Sequence, residues 1–131
     1  LDEAATAWAQ GGIVGVLGQD DSIETHVRDT QEAGAGLVDE RAAAFIAEHS
    51  ARAIEWLVER GVPFSPDPEG PLGLHLTREG GHAVRRIAHA ADATGKAIHD
   101  VLLALGVIES VSMIFVGAAV FIGLLLGRRR V

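Results

Sequence analysis

The stretch His75-Leu-Thr-Arg-Glu-Gly-Gly-His82, continued by Arg85-Arg86 and by His89-Ala-Ala-Asp-Ala-Thr-Gly95, gathers histidines, arginines, carboxylates and paired glycines into one short region. Most of the remaining chain is plain amphipathic sequence, so this density points to a site that handles anions. Leu74 and Leu76 alternate with His75 and Thr77, which predicts a short strand delivering Arg78-Glu79-Gly80-Gly81 to a turn. Far upstream lies a second island, Trp8-Ala-Gln-Gly-Gly-Ile13. Its two glycines let backbone N–H donors approach a ligand closely, and the Gln10 amide both donates and accepts. The same residues also suit an ordinary glycine-rich turn.

At 131 residues and 48% hydrophobic content, the chain suits one small domain, cramped for a complete cofactor-and-substrate enzyme. The net charge is −7. An acidic body argues against nonspecific nucleic-acid binding, which needs a cationic face to displace counterions. Without cysteine there is no disulfide, no thiolate catalysis and no cysteine-ligated metal. The start, Leu1-Asp-Glu-Ala, lacks both an initiating Met and a signal pattern, and reads as a chain entered midway.

Gly11, Gly12, Gly15 and Gly18 predict a loop leading into a short extended piece over residues 1–18. Asp20-Asp21-Ser22 supplies capping oxygens for a helix over about residues 22–33, carrying Ile23, Val27 and Thr30 and stopped by Gly34 and Gly36. Asp39 caps a second helix that buries Ala42, Phe45 and Ile46, and Ser50 caps a third that ends at Gly61, so two short helices abut near His49. All four prolines fall between Pro63 and Pro71, in a surface loop. Asp92 is expected to cap a helix through Ile98, Val101, Leu102 and Leu105, with Gly95 admitting a close neighbour. Phe45, Phe64, Trp8 and Trp56 read as packing residues.

Residues 106–131 are a different material. No charge occurs from Val111 to Leu126, and Arg128-Arg129-Arg130 closes the segment. A bilayer core asks for roughly 20 apolar residues, so residues 107–126 form an apolar helix that either spans a membrane or is buried. On the first reading the chain would be a single-span protein whose acidic helical head binds a partner without catalysis. A frameshift or fusion is another origin for such a tail.

His75, His82 and His89 recur at a fixed interval, yet a metal needs three imidazoles within about 2.1 Å of one ion, which a strand and a turn do not ensure. No metal is expected. Hydrolysis by a Ser-His-Asp triad lacks its Gly-x-Ser-x-Gly elbow. For Glu79, the residues leave two roles open: a salt bridge to Arg78, Arg85 or Arg86, or a partner for a cationic ligand.

The ordered blocks Trp-Ala-Gln-Gly-Gly-Ile, Asp-Asp-Ser-Ile-Glu-Thr-His-Val-Arg-Asp-Thr, Glu-Trp-Leu-Val-Glu-Arg-Gly-Val-Pro-Phe, His-Leu-Thr-Arg-Glu-Gly-Gly-His and His-Ala-Ala-Asp-Ala-Thr-Gly resemble the L-aspartate oxidase family. These are flavoproteins of the succinate dehydrogenase and fumarate reductase superfamily. The resemblance covers about residues 1–104, as an internal fragment. It implies a mainly α piece of an α/β, Rossmann-like FAD-binding domain over residues 1–105, without the Gly-x-Gly-x-x-Gly fingerprint that holds the pyrophosphate.

By the same resemblance, Ala5, Thr6, Ala7, Trp8, Ala9, Gln10, Gly11 and Gly12 line the FAD. Ala5 stands where the dehydrogenase branch has a flavin-linked histidine, which implies noncovalent FAD. Glu79 matches the carboxylate that orients the substrate's amino group, with Thr77, Gly80 and His82 as pocket candidates. Val84 stands where the family often has a second histidine. The implied reaction is oxidation of L-aspartate to iminoaspartate in NAD biosynthesis, with oxygen or fumarate reoxidising the flavin and quinolinate synthase as pathway neighbour. Cytoplasmic location follows for the family. The family's proton-donating arginine, substrate-clamping histidines and downstream substrate domain are not in this sequence, so the isolated chain is expected to be inactive.

Overall fold

Ser22 opens the first helix by accepting the Thr25 N–H at 3.1 Å, as its position predicts. The computed structural model describes residues 5–106. Helix α1 runs Ile23–Gly34 and closes through Ala35, which takes the left-handed conformation at φ 47°. The buried residues of α1 are His26 and Asp29, while Ile23, Val27 and Thr30 are only half-buried. The face turned inward is thus polar, because its counterpart is a buried arginine described below.

Asp39 caps α2 by accepting from the backbone N–H groups of Arg41 and Ala42. The helix then continues unbroken over Glu40–Glu59, where two helices were expected. Ser50 does not start a new one. Its hydroxyl donates to Ala47 O at 2.7 Å and accepts from Val16 N at 3.0 Å, so the serine is satisfied inside the helix and ties it to the segment after β1. Gly61, at φ 83°, then ends the helix by returning its N–H to Val58 O.

This tie also sets which face of α2 is buried. Ala47, Ser50, Ile54 and Leu57 point inward, whereas Ala42, Phe45 and Ile46 are exposed, contrary to the periodicity reading. Gly15 gives the reason: a Cβ there would run into the Ile54 side chain, so helix and strand meet at this spot. Trp56 lies partly exposed with the Arg60 guanidinium stacked 3.7 Å from its ring centre.

Three two-residue strands form an antiparallel sheet in the order β1-β3-β2: β1 Ile13–Val14, β2 Leu76–Thr77 and β3 Ile87–Ala88. Ala88 pairs with both Ile13 and Leu76. All described pairings are antiparallel, so the described residues are mainly helical with a small sheet rather than a parallel α/β layer. Helix α3, Thr94–Ala104, follows. Asp92 does not cap it; the cap position is Ala93, and the Thr94 hydroxyl accepts from Ala90 N at 2.9 Å.

Ile54, Leu57, Val62, Phe64, Leu74, Leu76 and Ala88 make the core, with Ile98, Val101 and Leu102 of α3 packed on it. The proline-rich loop is pinned rather than loose, through Ser65 N to His89 O and His75 N to Ser65 O. Among the described residues no helix is long and apolar enough to cross a membrane, and the apolar segment at 107–126 lies outside them.

Candidate functional site

Ala5–Trp8 form a 3-10 turn packed on α3, and Ala9–Gly12 lead from it into β1. Gly95, buried at the start of α3, donates its N–H to Ala9 O at 3.1 Å. Gly12 is fixed from the other side, where a Cβ would collide with Ile87 and the Ala88 carbonyl. The sheet, rather than a ligand, therefore requires glycine at 12. Between these anchors Trp8, Ala9, Gln10, Gly11 and Gly12 are exposed, and Trp8 is 75% exposed instead of packed. The N–H groups of Gln10, Gly11 and Gly12 make no hydrogen bond to any described residue. The strip is thus held at both ends and offers three backbone donors and an amide outward, a donor set suited to the edge and phosphates of a flat cofactor.

The second island meets this strip. His82 N–H closes a turn onto Glu79 O at 3.2 Å, and Gly81 takes φ 85°, as that turn requires. Glu79 Oε2 lies 3.9 Å from where a Gly11 Cβ would stand. The carboxylate is exposed and enters no ion pair among the described residues, so the bridges to Arg78, Arg85 or Arg86 do not form. A free anion therefore sits beside the open glycine.

Arg86 is instead fully buried, its guanidinium held by Asp21 at 2.8 Å and Asp29 at 3.1 Å. Two carboxylates around one guanidinium leave an excess negative charge out of water. Asp29 Oδ2 also accepts the Ala83 N–H at 2.8 Å, just past the Glu79 turn. The Arg86 backbone bonds on both sides: its N–H donates to Thr77 O, and its carbonyl accepts the Gly15 N–H. Sequence reasoning missed this group, treating Asp21 as a capping residue and giving Asp29 no role. No local signal could have found it, because Asp21 and Arg86 are 65 residues apart.

His82 and Gly80 face a cavity of about 330 Å³ with Val14, His26, Asp29 and Thr30. Thr77 does not join them; it lines a separate groove of about 640 Å³ with Asp20, His75, Arg78 and Arg85, and Val84 lies in that groove too. In the cavity, the His26 and His82 Nδ1 atoms are buried without hydrogen-bond partners among the described residues. Burial, then the neighbouring Arg86 and His82, push the His26 pKa below the ordinary imidazole value, outweighing Asp21 and Asp29. His26 is therefore a neutral ring at neutral pH. The regular spacing of His75, His82 and His89 splits in space: His75 Nδ1 meets His89 Nε2 at 2.9 Å, while His82 faces His26 with ring centres 6.0 Å apart.

A family model described as FAD binding domain matches residues 2–115. An L-aspartate oxidase of Pseudomonas aeruginosa is 55% identical over 109 residues, covering 79% of this chain and 20% of that protein. An L-aspartate oxidase of Ralstonia nicotianae is 57% identical over 103 residues, covering 79% of this chain and 19% of that protein. Among solved structures, a quinol fumarate reductase from E. coli superposes with a TM-score of 0.72 at 29% identity, covering 78% of this chain and 17% of that one. The chain spans about a fifth of the length of the curated relatives it matches.

Proposed function

Because the chain belongs to the FAD binding domain family, we propose that it is the part of an L-aspartate oxidase that meets the flavin edge and recognises the substrate's amino group. The observation that carries this reading is the unpaired Glu79 carboxylate beside Gly11. An ammonium placed between them has a charged acceptor on one side and no side chain obstructing it on the other. A diacid without an amino group gains nothing from that carboxylate and is repelled by it. Glu79 thereby sets the preference for an amino diacid.

FAD, when bound, supplies the acceptor for the hydride that leaves Cα, and oxygen or fumarate takes the two electrons onward. Gln10 and the N–H groups of Gly11 and Gly12 would hold it from the strip. Ala5 offers no side chain able to bond covalently to it, so the cofactor is noncovalent. As Cα gives up its hydride, the amino nitrogen releases a proton to solvent, and the electron pair left behind forms the C=N bond of iminoaspartate. Glu79 holds that nitrogen in place while it does so.

The reading is tested in a complete flavoprotein, the Pseudomonas aeruginosa relative with its matching segment replaced by residues 5–106. That chimaera should release its FAD on acid precipitation and oxidise L-aspartate with formation of hydrogen peroxide. Flavin-loaded protein that oxidises succinate and leaves L-aspartate untouched would refute the assignment.

A further inference from the structure

Within the Glu79 turn the bond from His82 N–H to Glu79 O is local, and packing against it is sparse: a Cβ at Gly80 would meet nothing within 4 Å, and one at Gly81 only the Ala33 methyl at 3.6 Å. What holds the turn is on α1. The carboxylate of Asp29, 6% exposed, takes the Ala83 N–H at 2.8 Å and the Arg86 guanidinium at 3.1 Å. Arg86 in turn carries backbone bonds to Thr77, at the near side of the turn, and to Gly15, two residues past β1's start at Ile13. One buried side chain therefore links the far end of the turn, through Arg86, to its near end and to the strand that continues the Gln10-Gly11-Gly12 strip. We infer that Asp29 is a positioning residue, setting the distance between the Glu79 carboxylate and the Gly11 strip and hence the selectivity for an amine-bearing diacid. The inference rests on the role proposed for Glu79.

Charge and hydrogen bond separate on substitution. Asp29→Asn keeps an oxygen for the Ala83 N–H and loses the ion pair, whereas Asp29→Ala loses both. Both variants take one of two carboxylates from Arg86, and Asp29→Ala also strips the Ala83 N–H of its acceptor, so it is the more destabilising of the two. Loss of folded protein lowers turnover of every substrate alike, so the informative quantity is the ratio of kcat/KM for L-aspartate to that for succinate, measured in the chimaera at full flavin occupancy.

Asp29→Ala should lower that ratio about tenfold or more through a raised KM for L-aspartate, and Asp29→Asn should restore most of it. An unchanged ratio in flavin-loaded Asp29→Ala overturns the positioning role. If Asp29→Ala fails to retain flavin, Asp29→Glu decides alone, because it keeps the carboxylate but moves it by one methylene: a ratio lowered at full flavin occupancy supports the role, and the wild-type ratio refutes it. Failure of the underlying reading looks different, since the unsubstituted chimaera would then show no preference for L-aspartate.

Discussion

Glu79→Gln in the chimaera is expected to lower kcat/KM for L-aspartate by roughly ten- to a hundredfold, the range spanned by a single hydrogen bond to a charged partner. The amide keeps the shape of the side chain and an oxygen that can accept, so the loss reports charge alone. Succinate has no ammonium, and its turnover should hold steady or rise slightly as a repelling carboxylate is removed. Steady-state kinetics with both diacids checks the pair of outcomes. An equal fall for both would make Glu79 a structural residue, and no fall for either would place amine recognition elsewhere.

Arg86→Met should remove a large part of the chain's stability. The guanidinium is fully buried between Asp21 and Asp29, and its loss leaves two carboxylates facing each other out of water. Breaking a buried ion pair from one side costs about 3–5 kcal/mol, against a total of about 5–15 kcal/mol for a typical domain. Urea unfolding of the chain followed by circular dichroism measures the loss. Adding Asp21→Asn and Asp29→Asn to Arg86→Met should recover much of it, since a neutral network no longer carries uncompensated charge. A loss below about 1 kcal/mol for Arg86→Met would mean that water reaches the group.

Local chemistry made several elements legible in the sequence. Ser22 with Glu24 after it announced α1, Gly61 announced the end of α2, and Leu74 to Thr77 announced the strand before the Glu79 turn. Ser50 misled because its hydroxyl satisfies itself on Ala47 O, so a residue that usually starts helices sits inside one. Strand β3 was invisible because Ile87 and Ala88 are both apolar and both buried, so no alternation marks them. Phe45 and Ile46 were read as core because periodicity fixes a helix's apolar stripe without saying which stripe the neighbouring strand selects; Gly15 and Ser50 make that choice.

The candidate site divides the same way. The closeness of Glu79 to Gly11 came into view through the ordered motif blocks, not through spacing, because a strip and a turn so far apart in the chain meet only in the folded sheet. The Asp21–Arg86–Asp29 group behind them was not legible at all: a carboxylate before a helix start, one within the helix and an arginine in a basic run each have a more ordinary local explanation. The resemblance grouped Thr77 with Gly80 and His82 as pocket candidates, and the sheet sends Thr77 to a different groove.

A crystal structure of the chimaera with α-methyl-L-aspartate would place the substrate's amino group relative to Glu79, because this ligand keeps the ammonium and both carboxylates but has no Cα hydrogen to transfer. A Glu79 carboxylate oxygen is expected within about 3.2 Å of the ligand nitrogen, beside Gly11. A ligand ammonium paired with other groups, with Glu79 turned to solvent away from Gly11, would contradict the role proposed for Glu79.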